Sequence, residues 1–188
     1  GLARPELVEA LVLVSTTAGI EDASERDARR RSDAALAEKI ESGGDEGLAA
    51  FLDEWLSGPL FAGLPPAAAN LPARLVNRAA GLSAALRTLG TGCQEPLWDR
   101  LGELSMPVLV LAGERDDKFV TLGKRLAAAI GANSSFEIVQ GAGHACCFER
   151  PGHFAELVAT FATSTRSSAG APEPGGALGA HAPRGAGA

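Results

Sequence analysis

MPVLVLAGERDDKF, residues Met106 to Phe119, and FEIVQGAGH, residues Phe136 to His144, decide how this chain folds. In each stretch a strand-forming run leads into a turn with glycine and then a titratable residue. A run such as Val108 to Ala112, with no polar alternation, reads as a strand buried on both faces in a parallel sheet. Between the two runs, Leu122 to Ile130 has helical spacing and stops at Gly131. Pro151 to Phe161 reads as a further helix with proline in its first turn. Strand, helix, strand, helix predicts parallel strands joined by right-handed crossovers. The predicted class is α/β.

Working outward, Leu11 to Ser15 is a third mostly apolar run, also expected to be buried on both faces, and Pro5 to Leu7 form a turn before it. From Glu21 to Thr88 the spacing is helical throughout. Asp22 or Ser24 caps a helix with Ala28, Ala35, Leu36 and Ile40 on its apolar face, ended by Gly43 and Gly44. Leu48, Phe51, Leu52 and Trp55 mark a second helix, and Leu75, Ala79, Leu82 and Leu86 a third. So long a helical insertion between strands has the size of a cap or lid. The expected organisation is a core strand and flanking helix end in 1–18, a helical cap in 19–93 and an α/β core in 94–165. Residues 166–188, almost wholly Ala, Gly, Pro and Ser, are expected to form a disordered tail in which His181 is inert. That leaves about 165 residues to fold.

Composition excludes several classes. Of 188 residues, 17 are Lys or Arg and 23 Asp or Glu, for a net charge of −6. No basic cluster alternates with aromatics, so nucleic acid is not an expected partner. The longest apolar runs are far short of the ~20 residues that cross a bilayer, and no signal peptide is read at the start. Three cysteines, two of them adjacent (Cys146 and Cys147), make neither a disulfide framework nor a metal-ligand spacing. A reducing cytoplasm, no metal and no cofactor are the expectations.

In parallel α/β sheets functional side chains gather beyond the carboxyl ends of the strands. As bare residues, Asp116 and Asp117 read as capping or surface carboxylates, and His144 as a loop histidine. Taken together, an Asp after one strand and a His after the next, with one helix between, can sit side by side. The carboxylate would then hold the imidazole in one tautomer, the supporting half of a Ser-His-Asp triad. The order Asp then His agrees with the α/β-hydrolase arrangement. The nucleophile is missing. No G-x-S-x-G occurs; Ser83 in GLSAA lies in a helical pattern, Ser15 lacks the glycines, and Cys93, Cys146 and Cys147 read as packing residues.

These phrases resemble the α/β-hydrolase superfamily: RPELVEALVLVST, the helical insertion, GERD at a strand end, and GAGH followed by E-R-P-x-x-F. More specifically, ERDARRRSD (25–33), FLDEWLSGPLF (51–61), RLVN (74–77), LRTLGTGCQ (86–94) and GERDDKF (113–119) resemble the 2-succinyl-6-hydroxy-2,4-cyclohexadiene-1-carboxylate synthase family of menaquinone biosynthesis. The resemblance implies that Asp116 and His144 are the acid and base of the triad. It implies that Arg29 and Arg74 meet substrate carboxylates and that Trp55 lines the pocket. A guanidinium fork suits a polycarboxylate substrate because it pairs in a bidentate way. Read without the resemblance, Arg26, Arg29, Arg30 and Arg31 are a solvated helix face and Trp55 is core; Lys118 and Phe119 receive no role.

The implied reaction is a lyase step in which the relay removes a proton and pyruvate is eliminated, without metal or cofactor. An ester or peptide hydrolase would use the same Asp and His. A non-catalytic remnant that binds through its cap is the reading from a different class. The resemblance further implies about five strands before Leu11, with the nucleophile elbow on the last of them. The expectation is therefore the C-terminal part of a longer enzyme, inactive by itself, with an exposed edge at Leu11 to Ser15 and a tendency to aggregate. Oligomeric state is left open.

Overall fold

The strand from Val108 to Gly113 (β2) is buried along its whole length, and the rest of the core is arranged around it. In the computed structural model, which describes residues 1–169, it lies in the middle of a three-stranded parallel sheet. On one side is β1 (Leu11–Val14), with Leu11 opposite Val108; on the other is β3 (Ser134–Val139), with Gly113 opposite Val139. A central strand covered on both faces has no use for polar residues, which is why VLVLA reads as one apolar run. Helix α5 (Asp117–Ile130) crosses from β2 to β3 and presses Leu126 and Ile130 onto Val108 and Val110. Gly123 lets its backbone approach the Phe136 ring, where a Cβ would overlap a ring carbon. Fully burying each of Leu109, Leu111 and Leu126 contributes about 1.5–3 kcal/mol.

Strand β1 is not buried on both faces as its apolar run alone predicts, and instead shows the exposed edge expected at Leu11 to Ser15. All four residues are half-buried, not buried, because among the described residues β1 has a hydrogen-bonded neighbour only in β2. Apolar grooves run along both of its faces. One, of about 460 Å³, is lined by Leu11, Leu13, Leu97, Leu101 and Leu104; the other, of about 510 Å³, by Val12, Val158 and Phe161.

The helical insertion begins as α1 (Ala23–Leu56), capped by the Asp22 side chain, which accepts from the Glu25 amide at 2.9 Å. The expected break falls at Gly44, whose φ of 58° and ψ of −167° are non-helical. The chain therefore folds back on itself, and Lys39 on one limb pairs with Glu54 on the other at 2.7 Å. Helix α4 (Ala79–Leu89) packs across both limbs, and Ile40, Leu48, Leu52 and Ala79 form a separate small core. Its start has no cap from its own residues; Asp45, next to the Gly44 break, accepts from the Ala79 amide at 2.7 Å.

The third cap helix starts later than the spacing predicts. Pro66–Ala69 (α2) and Leu71–Arg74 (α3) are single turns separated by Asn70 at φ 42°, and Leu75 stands outside any helix at 41% exposure. The side chains of Arg74 and Asn77 bond local carbonyls there, those of Ala69 and Arg74. Such bonds favour turns over a continuous helix.

Where the insertion meets the core, its two ends are stitched together. Trp98 Nε1 donates to Gly19 O at 2.9 Å, and Arg125 forms a two-pronged pair with Glu21 while its guanidinium lies 3.8 Å over the Trp98 ring. Cys146–Glu149 (α6) and Pro151–Ala169 (α7) complete the described chain. Helix α7 passes the predicted end at Phe161 and enters the segment expected to be disordered from residue 166. Thr163 and Ser167 contribute by bonding Ala159 O and Thr163 O one turn back. The remainder of that tail, with His181, lies outside the described residues. Among the described residues no helix is long and apolar enough to cross a membrane.

Two measurements check this architecture. Val12→Lys places a charge on the β1 edge, where such residues blunt edge pairing; light scattering should show less concentration-dependent association than the unsubstituted chain. The Ala79 amide and Arg78 hold the Asp45 carboxyl below its ordinary value of 3.8, so its contribution is present above that value and is lost as pH falls through the lower folded value. Asp45→Asn should flatten the acid limb of a pH–stability curve there and leave the neutral end lower.

Candidate active site

Strands β2 and β3 end side by side, and the loops that leave them are cross-linked before any catalytic side chain is considered. Arg115 N donates to Ala142 O at 2.8 Å, Glu114 N to Val139 O at 3.1 Å, and the Glu114 side chain accepts from Gly141 N at 2.8 Å. Gly141, at φ +65°, turns the second loop, a conformation that glycine adopts without a Cβ penalty. Gly113 has no room for a side chain, since a Cβ there would overlap Gly143 O and stand 2.7 Å from Ala142 O.

Asp116 and His144 meet at the top of this frame. His144 Nδ1 and Asp116 Oδ2 are 2.7 Å apart, with the two side chains 22% and 10% exposed. An ionised carboxylate accepts only, so Nδ1 carries the proton and Nε2 is left with its lone pair. The other Asp116 oxygen, Oδ1, accepts from Phe119 N at 3.4 Å and caps α5. The capping reading is observed at this oxygen, while the other oxygen is the one that meets His144. The Phe119 ring lies 4.7 Å from the imidazole by centroids and Phe61, from the cap, 6.4 Å away edge-on. Beside them is a cavity of about 230 Å³ between Pro59, Leu60, Gly63, Arg115, Asp116 and His144.

The cap residues divide. Trp55 and Arg74 both line a cleft of about 380 Å³ between α1 and α4, and Arg74 Nε is held by Ala69 O at 2.7 Å. Trp55 is 44% exposed, stacked on Phe51 and 6.3 Å from Phe61, so aromatic rings run from the cleft to His144. Arg29 is not among the residues lining that cleft; it pairs instead with Asp33 at 2.9 Å, one turn along α1. Lys118 lies 5.6 Å from the Phe119 ring centroid.

Ser83, Ser15 and Cys146 are engaged elsewhere or buried. Ser83 is buried inside the cap, donating to Ala37 O and Ala79 O. Ser15, at φ 42°, donates to the backbone carbonyl of His144 at 2.9 Å and not to its imidazole. Cys146 is fully buried, and that burial pushes its thiol above the ordinary value, away from a thiolate. Sequence reasoning missed Phe61, whose contact with His144 depends on the helical insertion lying over the sheet, and the role of Phe119, which meets the imidazole from the first turn of α5. It also gave no role to Glu149, whose carboxylate accepts from Gly143 N and Ala145 N on either side of His144.

No protein-family model matches the chain. Among curated proteins it is 38% identical over 165 residues to a protein of Bacillus subtilis (strain 168) named, provisionally, as a 2-succinyl-6-hydroxy-2,4-cyclohexadiene-1-carboxylate synthase; the match covers 85% of this chain and 59% of that protein. A protein of the same name from Serratia proteamaculans (strain 568) is 30% identical, over 84% of this chain and 59% of its own. Among solved structures, MenH from S. aureus superposes with a TM-score of 0.79 at 32% identity, covering 85% of this chain and 60% of that one. A thermophilic esterase from Thermogutta terrifontis, at TM-score 0.65 and 22% identity, shares the fold. The chain thus spans about three fifths of the length of the relatives it matches.

The frame itself is testable. Gly113→Ala must push the two loops apart against backbone atoms that cannot rotate away. It should cost about 1–3 kcal/mol or more in urea unfolding.

Proposed function

We propose that this chain, which belongs to the α/β-hydrolase superfamily and is a relative of the 2-succinyl-6-hydroxy-2,4-cyclohexadiene-1-carboxylate synthases, supplies the acid, base and substrate cap of a pyruvate-eliminating lyase of menaquinone biosynthesis. The observation that carries the reading is the 2.7 Å contact between His144 and Asp116 at neighbouring parallel strand ends, beneath a cap cleft that holds Arg74 and Trp55.

The chemistry follows from the geometry. Asp116 holds the Nδ1 proton, so Nε2 is the basic atom, and the carboxylate stabilises the imidazolium formed when Nε2 takes a proton. In the lyase reading the serine hydroxyl of the intact enzyme stands between Nε2 and the substrate and relays that proton. The electron pair of the broken C–H bond forms the new ring double bond, the carbon–oxygen bond breaks with its pair going to the leaving oxygen, and the departing enolate takes the proton back from the imidazolium to become pyruvate. That serine is placed outside these 188 residues, since Ser15 and Ser83 are bonded elsewhere. The relay calls for no metal or cofactor.

Arg74 is the cation for a substrate carboxylate in the cleft, Trp55 is its apolar wall, and Arg29 on the first limb of α1 serves a second carboxylate once released from Asp33. A guanidinium paired with a carboxylate contributes about 1.5–3 kcal/mol. The same reading places the protein in the cytoplasm, in keeping with three cysteines that are all free thiols. The 188-residue chain alone is inactive in this reading.

Pyruvate release by the intact protein tests it. His144→Ala should lower kcat by about 10²–10⁴-fold, and Arg74→Ala should raise KM about tenfold or more with a smaller change in kcat. The 188-residue chain alone should release none. An intact protein that releases no pyruvate but turns over p-nitrophenyl esters rapidly would move the assignment to an ester hydrolase of the same fold.

A further inference from the structure

One buried charge takes no part in the relay. Glu149, at the end of α6, has a side chain only 1% exposed. Its Oε2 accepts from Gly143 N at 2.8 Å and its Oε1 from Ala145 N at 3.2 Å, so a single carboxylate grips the backbone on both sides of His144. Arg115, on the loop that carries Asp116, places Nη2 3.5 Å from Oε2 and donates from the same nitrogen to Gly141 O at 2.5 Å. The cap reaches this point as well. Gly63 lies against the carboxylate so closely that a Cβ would overlap Oε2 and stand 2.9 Å from Cδ. Two residues earlier in the cap, Phe61 meets the imidazole.

Burying a carboxylate is costly, and an apolar residue of similar size is often at least as stabilising. Here the cost is met by two amides and a guanidinium that all belong to the two catalytic loops. An acceptor that takes hydrogen bonds from residues 143 and 145 leaves residue 144 little freedom to rotate about its backbone. We propose that Glu149 is the positioning residue for His144, and that the cap loop seats on it through Gly63, so that cap seating and imidazole orientation are set at one carboxylate. Glu149 itself transfers no proton. This rests on His144 being the base, but its geometry stands apart from which reaction the base serves.

The test uses no turnover, so the failure of the lyase assignment would leave it intact. The 188-residue chain at low concentration is treated with diethyl pyrocarbonate, and carbethoxylation of His144 is measured peptide by peptide, with His181 as the reference in each digest. Glu149→Gln keeps the volume but sets an amide NH₂ against a backbone N–H. It should raise the relative rate at His144 about fivefold as the imidazole leaves its fixed setting against Asp116. Gly63→Ala, which alters no polar group, should raise it about twofold or more by wedging the carboxylate. The double variant should react no faster than Glu149→Gln alone, because the two act through one contact. Glu156→Gln, on the exposed face of α7, should change nothing.

A His144 rate unmoved by both Glu149→Gln and Gly63→Ala, with only the unfolding midpoint lowered, would reduce Glu149 to a structural residue and overturn the proposal. Effects of the two substitutions that multiply in the double variant would overturn the link to the cap. Should Glu149→Gln fail to fold, the response of His144 to Gly63→Ala decides the question alone.

Discussion

The pairing of Asp116 with His144 depends on the parallel register that puts Gly113 beside Val139. Parallel pairing means that both strands deliver their next residues to the same edge of the sheet, and one helix between them is enough to return the chain. From that register Asp116 is three residues past β2 and His144 five past β3, and the loops are short enough to be tied to each other by backbone bonds. The 2.7 Å contact between the two side chains is the consequence. A register slip of one residue would turn every side chain of β3 to the other face and part the pair.

Around this frame the chain spends its charged groups on holding loops in place. Asp116 caps α5 with one oxygen and orients His144 with the other. Glu114 and Glu149 each accept from backbone amides of the histidine loop, and Arg115 joins the two loops. Backbone groups near a strand end cannot all be met by the sheet, and buried ones left unmet are expensive. Carboxylates placed among them meet that need and make the loops rigid. In the proposed reaction, an imidazole held in one orientation before substrate arrives loses less on reaching the reacting geometry.

The helical insertion has its own small core, made where Gly44 turns α1 back on itself. Its two ends are drawn together by Trp98, Gly19 and the Arg125–Glu21 pair, so the insertion leaves and rejoins the sheet at nearly one place. That closure brings Phe61 over His144 and connects the imidazole through aromatic rings to the cleft of Trp55 and Arg74.

Much of this was legible in the order of residues. The apolar run at Val108 to Ala112, the glycine break in α1 and the Asp22 cap follow from local spacing and backbone preference, which depend on near neighbours alone. Asp116 and His144 were legible as well, because a strand end followed by a titratable residue is a local pattern and parallel topology brings such ends together. Other features were not. The short turns before α4 depend on side chains that bond local carbonyls. The continuation of α7 past Phe161 belongs with them, since helix ends respond to small local bonds. The contacts of Phe61 with His144, of Phe119 with its ring, and of Gly63 with Glu149 join residues far apart in the chain. Sequence alone determined where the strands and their crossover helix lie and which residue types stand at the strand ends. Only the tertiary structure decided which distant groups those ends would meet, because packing and hydrogen-bond satisfaction in a buried site are properties of the assembled neighbours.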